Sequence, residues 1–129
     1  MSHPGSVSEV GPEGGPPPKP GVGPGAFAAI DMRVGRIVEV EAFPEARRPA
    51  WKLTVDLGPV LGVRRTSAQV TNYPREALLD RLVVAAVNLG TKRIAGFPSE
   101  ILVLGSLDPD GTVRLLQPDP DAPLGSPIA

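Results

Sequence analysis

Period-two alternation of apolar and polar residues defines the first strands of this chain. Residues 33–43 predict a long first strand with Val38, Val40 and Ala42 on one face and Glu39 and Glu41 on the other. Gly35 within it marks a bulge or a close backbone approach. After the loop 44–49, Trp51, Leu53, Val55 and Leu57 alternate with Lys52, Thr54 and Asp56 in a second strand. Gly58-Pro59 turns the chain into a third, residues 61–71, with Ser67 and Gln69 opposite Ala68 and Val70. Residues 74–79 predict a short helix with Pro74 in its first turn and Asn72 or Tyr73 near the cap. Residues 82–89 and 101–104 are continuous apolar runs of strand length, the pattern of strands covered on both faces. Asp108-Pro109-Asp110-Gly111 has turn composition and leads into a last strand over 113–116. The end, 117–129, reads as irregular, with Leu124 and Ile128 as isolated apolar anchors.

Five or six short strands with one small helix between the third and fourth predict an all-β fold. The expected architecture is the five-stranded Greek-key barrel of the oligonucleotide-binding (OB) fold, with N- and C-terminal extensions. Residues 1–25 predict a disordered tail, because the Pro-rich run from Gly14 to Pro20 cannot enter a helix or a central strand. A proline-rich ligand for an SH3-like partner is the alternative there. Residues 26–129 form the domain, opened by a short helical turn or arm anchored on Phe27 and Ile30.

Composition removes most chemistry. The 129 residues include no Cys and one His, His3, so thiol nucleophiles, thiolate metal sites and disulfides are excluded. Glu39 and Glu41 share a strand face but have no catalytic partner, and Asp108 to Gly111 lacks the ligand spacing of a calcium loop. We expect a binding protein, not an enzyme, with no metal and no cofactor. No stretch approaches the roughly 18 apolar residues of a membrane span, and the N-terminus has no apolar signal core. A soluble, cytoplasmic protein without membrane insertion is the expectation.

Charge adds a direction. The net charge is −1, yet residues 31–93 hold 11 Lys/Arg against 7 Asp/Glu, whereas residues 94–129 hold one Arg against five acids. This is either scatter on a solvated surface or a basic face able to meet phosphates. The doublets Arg47-Arg48 and Arg64-Arg65 allow forked contacts to phosphate, or simply solubilise the surface. Asn88, Lys92 and Arg93 follow a buried strand and present amide and charge on one rim; a polar loop with a structural Asn is the alternative. Ser99 and Glu100 precede the next strand, where Ser99 caps or meets phosphate and Glu100 orients Lys92 or Arg93 by an ion pair, or both merely start the strand.

Asp31-Met32-Arg33-Val34-Gly35-Arg36-Ile37 resembles the opening strand of the tRNA-binding domain family. The stretch from Phe43 to Leu53, the run from Ser67 to Thr71, and the run from Ser99 to Gly105 resemble its CsaA branch. The resemblance implies an OB barrel whose extensions build a homodimer, and tRNA gripped by shape and backbone. For the CsaA branch it implies a chaperone that holds unfolded preproteins and meets the secretion ATPase. Carried over by position, it assigns tRNA contacts to Ser67, Gln69, Asn88, Lys92, Arg93, Ser99 and Glu100, with Lys52 and Arg65 as further phosphate contacts. Phe27, Trp51, Phe97, Leu124 and Ile128 are the expected peptide-binding or dimer-interface residues. The chain departs from the wider family in Phe43-Pro44, Ser67-Ala68 and Pro98.

Overall fold

The computed structural model describes residues 14–129, so His3 lies outside the described residues. Among the described residues, nine strands and three one-turn helices follow in the order α1 (Pro24–Ala28), β1 (Met32–Ala42), β2 (Trp51–Asp56), α2 (Gly58–Leu61), β3 (Val63–Ala68), α3 (Arg75–Leu78), β4 (Leu82–Ala86), β5 (Lys92–Ile94), β6 (Phe97–Ser99), β7 (Leu102–Val103), β8 (Gly105–Leu107) and β9 (Val113–Leu115). The main sheet is antiparallel, in the order β3-β2-β1-β4-β7. It curls into a nearly closed OB-type barrel because β1 serves two neighbours: Met32 to Arg36 pair with β4, and Arg36 to Ala42 with β2.

The bend in β1 differs from the expected alternation. Ile37 pairs with Val55 and Glu39 with Thr54, so Val38 is the extra residue of a bulge. Ile37 and Val40 are both buried, whereas Val38 and Ala42 are exposed. One inserted residue moves the apolar set from one parity to the other. Gly35 is instead a close approach: a Cβ there would lie 2.6 Å from Val55 Cγ1 and 2.9 Å from Leu57 Cδ2. Gly35→Ala is therefore expected to destabilise by about 1–3 kcal/mol through overpacking. An unchanged thermal midpoint would mean that Val55 and Leu57 swing aside freely.

The barrel closes between β3 and the segment entering β7, largely through side chains. The Glu100 amide donates to the Arg65 carbonyl at 2.8 Å, and the Arg65 amide donates to Glu100 Oε1 at 2.8 Å. Thr66 Oγ1, almost fully buried, donates to the Ile101 carbonyl at 2.7 Å. Ser99 Oγ accepts from the Ser67 amide at 3.2 Å and shares a hydrogen bond with Thr66 Oγ1 at 2.8 Å. These groups stand in for a regular ladder, satisfying backbone donors and acceptors that the seam would otherwise strand.

Other expectations are corrected in detail. Gly58-Pro59 opens a helical turn, so β3 begins at Val63 and ends at Ala68. Pro74 itself is the N-cap of α3, while Asn72 Nδ2 donates to the Val113 carbonyl at 3.0 Å and Tyr73 Oη accepts from the Leu115 amide at 3.0 Å. Both side chains tie the β8–β9 hairpin to the barrel. The buried run ends at Ala86, leaving Leu89 exposed, and in the second run Ile101 is buried but Leu102 is exposed. The turn over Asp108 to Gly111 forms as expected, with the Gly111 amide donating to the Asp108 carbonyl. Hydrogen bonds from the Thr112 backbone, then its side chain, hold the Asp110 carboxyl below the usual aspartate range. That carboxylate favours the turn above the ordinary Asp pKa and ceases to as pH falls through its lowered value.

The C-terminal segment is tied down along its length. Val34 exchanges hydrogen bonds with Gly125 and Ser126, and the Ile128 amide donates to the Met32 carbonyl. The segment thus extends the edge of β1 that β2 leaves open. Gly125 sits at φ 86°, and a Cβ there would lie 2.7 Å from the Leu57 carbonyl oxygen.

Candidate nucleic-acid interface

A groove of about 530 Å³ lies between the β1–β2 loop and the β5–β6 hairpin. Ser67 and Gln69 form its floor, Arg47 and Arg48 one wall, and Lys92 and Ile94 the other. The loop is open because Pro44 and Pro49 keep it out of the sheet ladder. The hairpin is held by β5–β6 pairing, in which Lys92 lies opposite Ser99 and Ile94 opposite Phe97. The groove's lining holds three cations, Arg47, Arg48 and Lys92, and one carboxylate, Glu45. In an OB barrel these two loops and the face of strands two and three are where an oligonucleotide lies. Positive charge focused in a concave site attracts a polyanion before contact is made.

The sequence-derived residues separate into groups. Ser67, Gln69 and Lys92 line the groove together. Arg93, on the same hairpin, turns its guanidinium to the Gly96 carbonyl at 3.1 Å and is not among the groove-lining residues. Asn88 spends its amide on the N-terminal arm: Nδ2 donates to the Ala29 carbonyl at 2.9 Å, and Oδ1 accepts from the Asp31 amide at 2.8 Å. Ser99 and Glu100 belong to the seam, and Glu100 holds the Arg65 amide rather than an ion pair with Lys92 or Arg93.

Lys52 and Arg65 have aromatic partners. Lys52 Nζ lies 4.9 Å from the Phe43 ring centre and 5.2 Å from that of Phe97, and the Arg65 guanidinium lies 4.9 Å from Phe97. Arg65 also pairs with Glu41. The two rings meet edge to face at 5.5 Å. Phe43 opens the β1–β2 loop and Phe97 belongs to the hairpin, so this cluster fixes the spacing of the groove's walls. Cations over aromatic faces are held in place and partly desolvated.

The expected apolar residues lie apart from one another. Phe97 is buried in the cluster just described, a packing position rather than an open groove. Phe27 and Ile128 line one cleft, beside Asn88. Trp51 lines a separate apolar cup with Phe43, Pro44 and Pro49, its Nε1 donating to the Tyr73 carbonyl at 3.2 Å. Leu124 is half-buried, with its carbonyl against Gly58. The Arg47-Arg48 doublet, a phosphate contact or a solubilising pair by its sequence and not among the positions the resemblance assigns, lines the groove. Among the described residues no cluster of His, Asp or Glu is arranged to hold a metal ion, and no helix is long and apolar enough to cross a membrane.

A small OB-type barrel with a basic groove between its two ligand-facing loops defines the class: an oligonucleotide-binding-type module. Residues 32–127 match the family described as "Putative tRNA binding domain". The CsaA chaperone of Picrophilus torridus is 44% identical with a TM-score of 0.80, over 84% of this chain and all of that one. The CsaA chaperone of Bacillus anthracis is 42% identical, also at 0.80, over 85% of this chain and all of that one. The methionine–tRNA ligase of Pyrococcus abyssi is 38% identical over 103 residues, which are 79% of this chain but 14% of the ligase. The chain belongs to the tRNA-binding domain family and is of the CsaA type within it.

Proposed function

We propose that this protein is a non-enzymatic, homodimeric, cytoplasmic RNA-binding protein whose basic groove takes the phosphate backbone of tRNA. The observation that carries this reading is the convergence of Arg47, Arg48 and Lys92 over the Ser67–Gln69 floor, in a chain with a net charge of only −1. Such a site binds through a few phosphate contacts, so its affinity depends on salt. In a titration with total tRNA, binding is expected to weaken roughly 10- to 100-fold between about 50 and 200 mM salt. Salt-independent binding, or none, would sink this reading.

Dimerisation is supported by α1, which has no buried residue, and by the exposure of Phe27 and Ile30 beside the C-terminal strap. A second copy would cover them, and a light-scattering mass of two chains is expected. A mass of one chain would reject the dimer.

A second reading, a chaperone for unfolded preproteins, is supported by the CsaA neighbours and by an apolar pocket of about 300 Å³. Leu89, Ile94, Ile101 and Leu102 line it beside Lys92. It predicts capture of an unfolded apolar peptide that persists at high salt. A link to the secretion ATPase would rest on that result.

Lys52 separates a phosphate contact from a strut. Lys52→Met keeps a soft side chain between the two rings and removes the charge. The slope of log K for tRNA against log salt is expected to stay unchanged. A fall of about 0.7–0.9 would make Lys52 a phosphate contact after all.

A further inference from the structure

We propose that the apolar cup around Trp51 receives one unpaired nucleobase of an RNA whose backbone lies in the basic groove. This rests on the RNA reading above and adds a subsite to it. The cup, about 240 Å³, has Phe43, Pro44, Pro49, Ala50, Trp51 and Thr71 among its lining residues. That is below the roughly 300 Å³ at which drug-sized pockets begin, and suits a single ring system.

Its surroundings select the kind of guest. Ala50 lines both the cup and the basic groove. Arg48 and Gln69, which line the groove, share a cleft with Pro49 and Thr71, which line the cup. Cationic and apolar surfaces therefore adjoin as the phosphate and base of one nucleotide do. None of the groove-lining residues is aromatic, so a base leaving its stack above the groove has this neighbouring ring to meet. The Trp51 ring nitrogen donates to the Tyr73 carbonyl and the partly buried indole packs against the core, so the ring is held in place where it lines the cup. A pre-oriented indole is a stacking platform that accepts any base, since every base has a π-face.

Trp51 is the protein's single tryptophan, so its emission reports on the cup directly. The probes are an RNA hairpin with a short single-stranded 3′ overhang, the same hairpin with a blunt end, and an unfolded apolar peptide. The overhang hairpin is expected to quench Trp51 and to bind about tenfold more tightly than the blunt one. Trp51→Leu should abolish that preference while leaving blunt-hairpin affinity unchanged, and Trp51→Phe should restore most of it. The quench is read on the unaltered chain, so the test stands even if Trp51→Leu fails to fold. Equal binding and equal emission with both hairpins would overturn the subsite and leave the RNA reading intact. No binding of either hairpin or of tRNA would remove both. Quenching by the peptide but by neither hairpin would assign the cup to apolar side chains and overturn the proposal.

Discussion

Replacing Arg47, Arg48 and Lys92 together by Ala is expected to weaken tRNA binding about a hundredfold at low salt. It should also reduce the slope of log K against log salt by about two to three. Each cation that meets a phosphate releases condensed counterions, so affinity and slope both follow the number of phosphates the protein neutralises. All three side chains are exposed, and none is in the buried core, so the barrel should keep its thermal midpoint. Arg114→Ala is the matched control: its guanidinium pairs with Asp108 in the β8–β9 hairpin and does not line the groove. It should leave the slope unchanged. A slope that survives the triple replacement would move the RNA off this groove, whereas affinity that falls together with the midpoint would only report unfolding.

Leu78→Ala is expected to destabilise the fold by about 2–5 kcal/mol. Leu78 is fully buried, and it is the one residue by which α3 enters the core, where it joins Ile37, Val40 and Leu53. A helix of four residues has too few internal hydrogen bonds to hold itself, so its position depends on that anchor. Truncation leaves a cavity that strands on several sides cannot all collapse to fill. Its neighbour Leu79 is exposed, and Leu79→Ala should stay within about 0.5 kcal/mol. Urea denaturation of both variants reads the contrast. Similar midpoints for the two would mean that α3 is not anchored through Leu78.

Much of this architecture was legible in the chain. The second strand alternates so regularly that Leu53, Val55 and Leu57 could be placed inside from the pattern alone, and all three are fully buried. The Asp108 to Gly111 turn and the buried run from Leu82 followed equally from local pattern. Val38 did not follow, because a bulge leaves no mark in the residues that form it and shifts every side chain beyond it. Gly35 signalled that something unusual happens there, but only Val55 and Leu57, brought across from β2 and its end, decide that it is a close approach.

The candidate site divides in the same way. Residue type made Lys52, Arg65, Asn88, Ser99 and Glu100 candidates to touch RNA, since charge and hydrogen-bonding capacity are written in the sequence. Whether those groups remain available to a ligand depends on neighbours distant in the chain. Phe43 and Phe97 engage Lys52, Ala29 and Asp31 occupy the Asn88 amide, and the Arg65 amide occupies Glu100. The sequence by itself determined an all-β barrel and a surplus of cations in its first two thirds, because local period, turn chemistry and composition act over a few residues, and the resemblance of several separate motifs pointed to its family. The tertiary structure alone decided which cations face one groove and which are spent on aromatic rings. Closing a barrel brings residues tens of positions apart into contact, and no short-range pattern encodes those meetings.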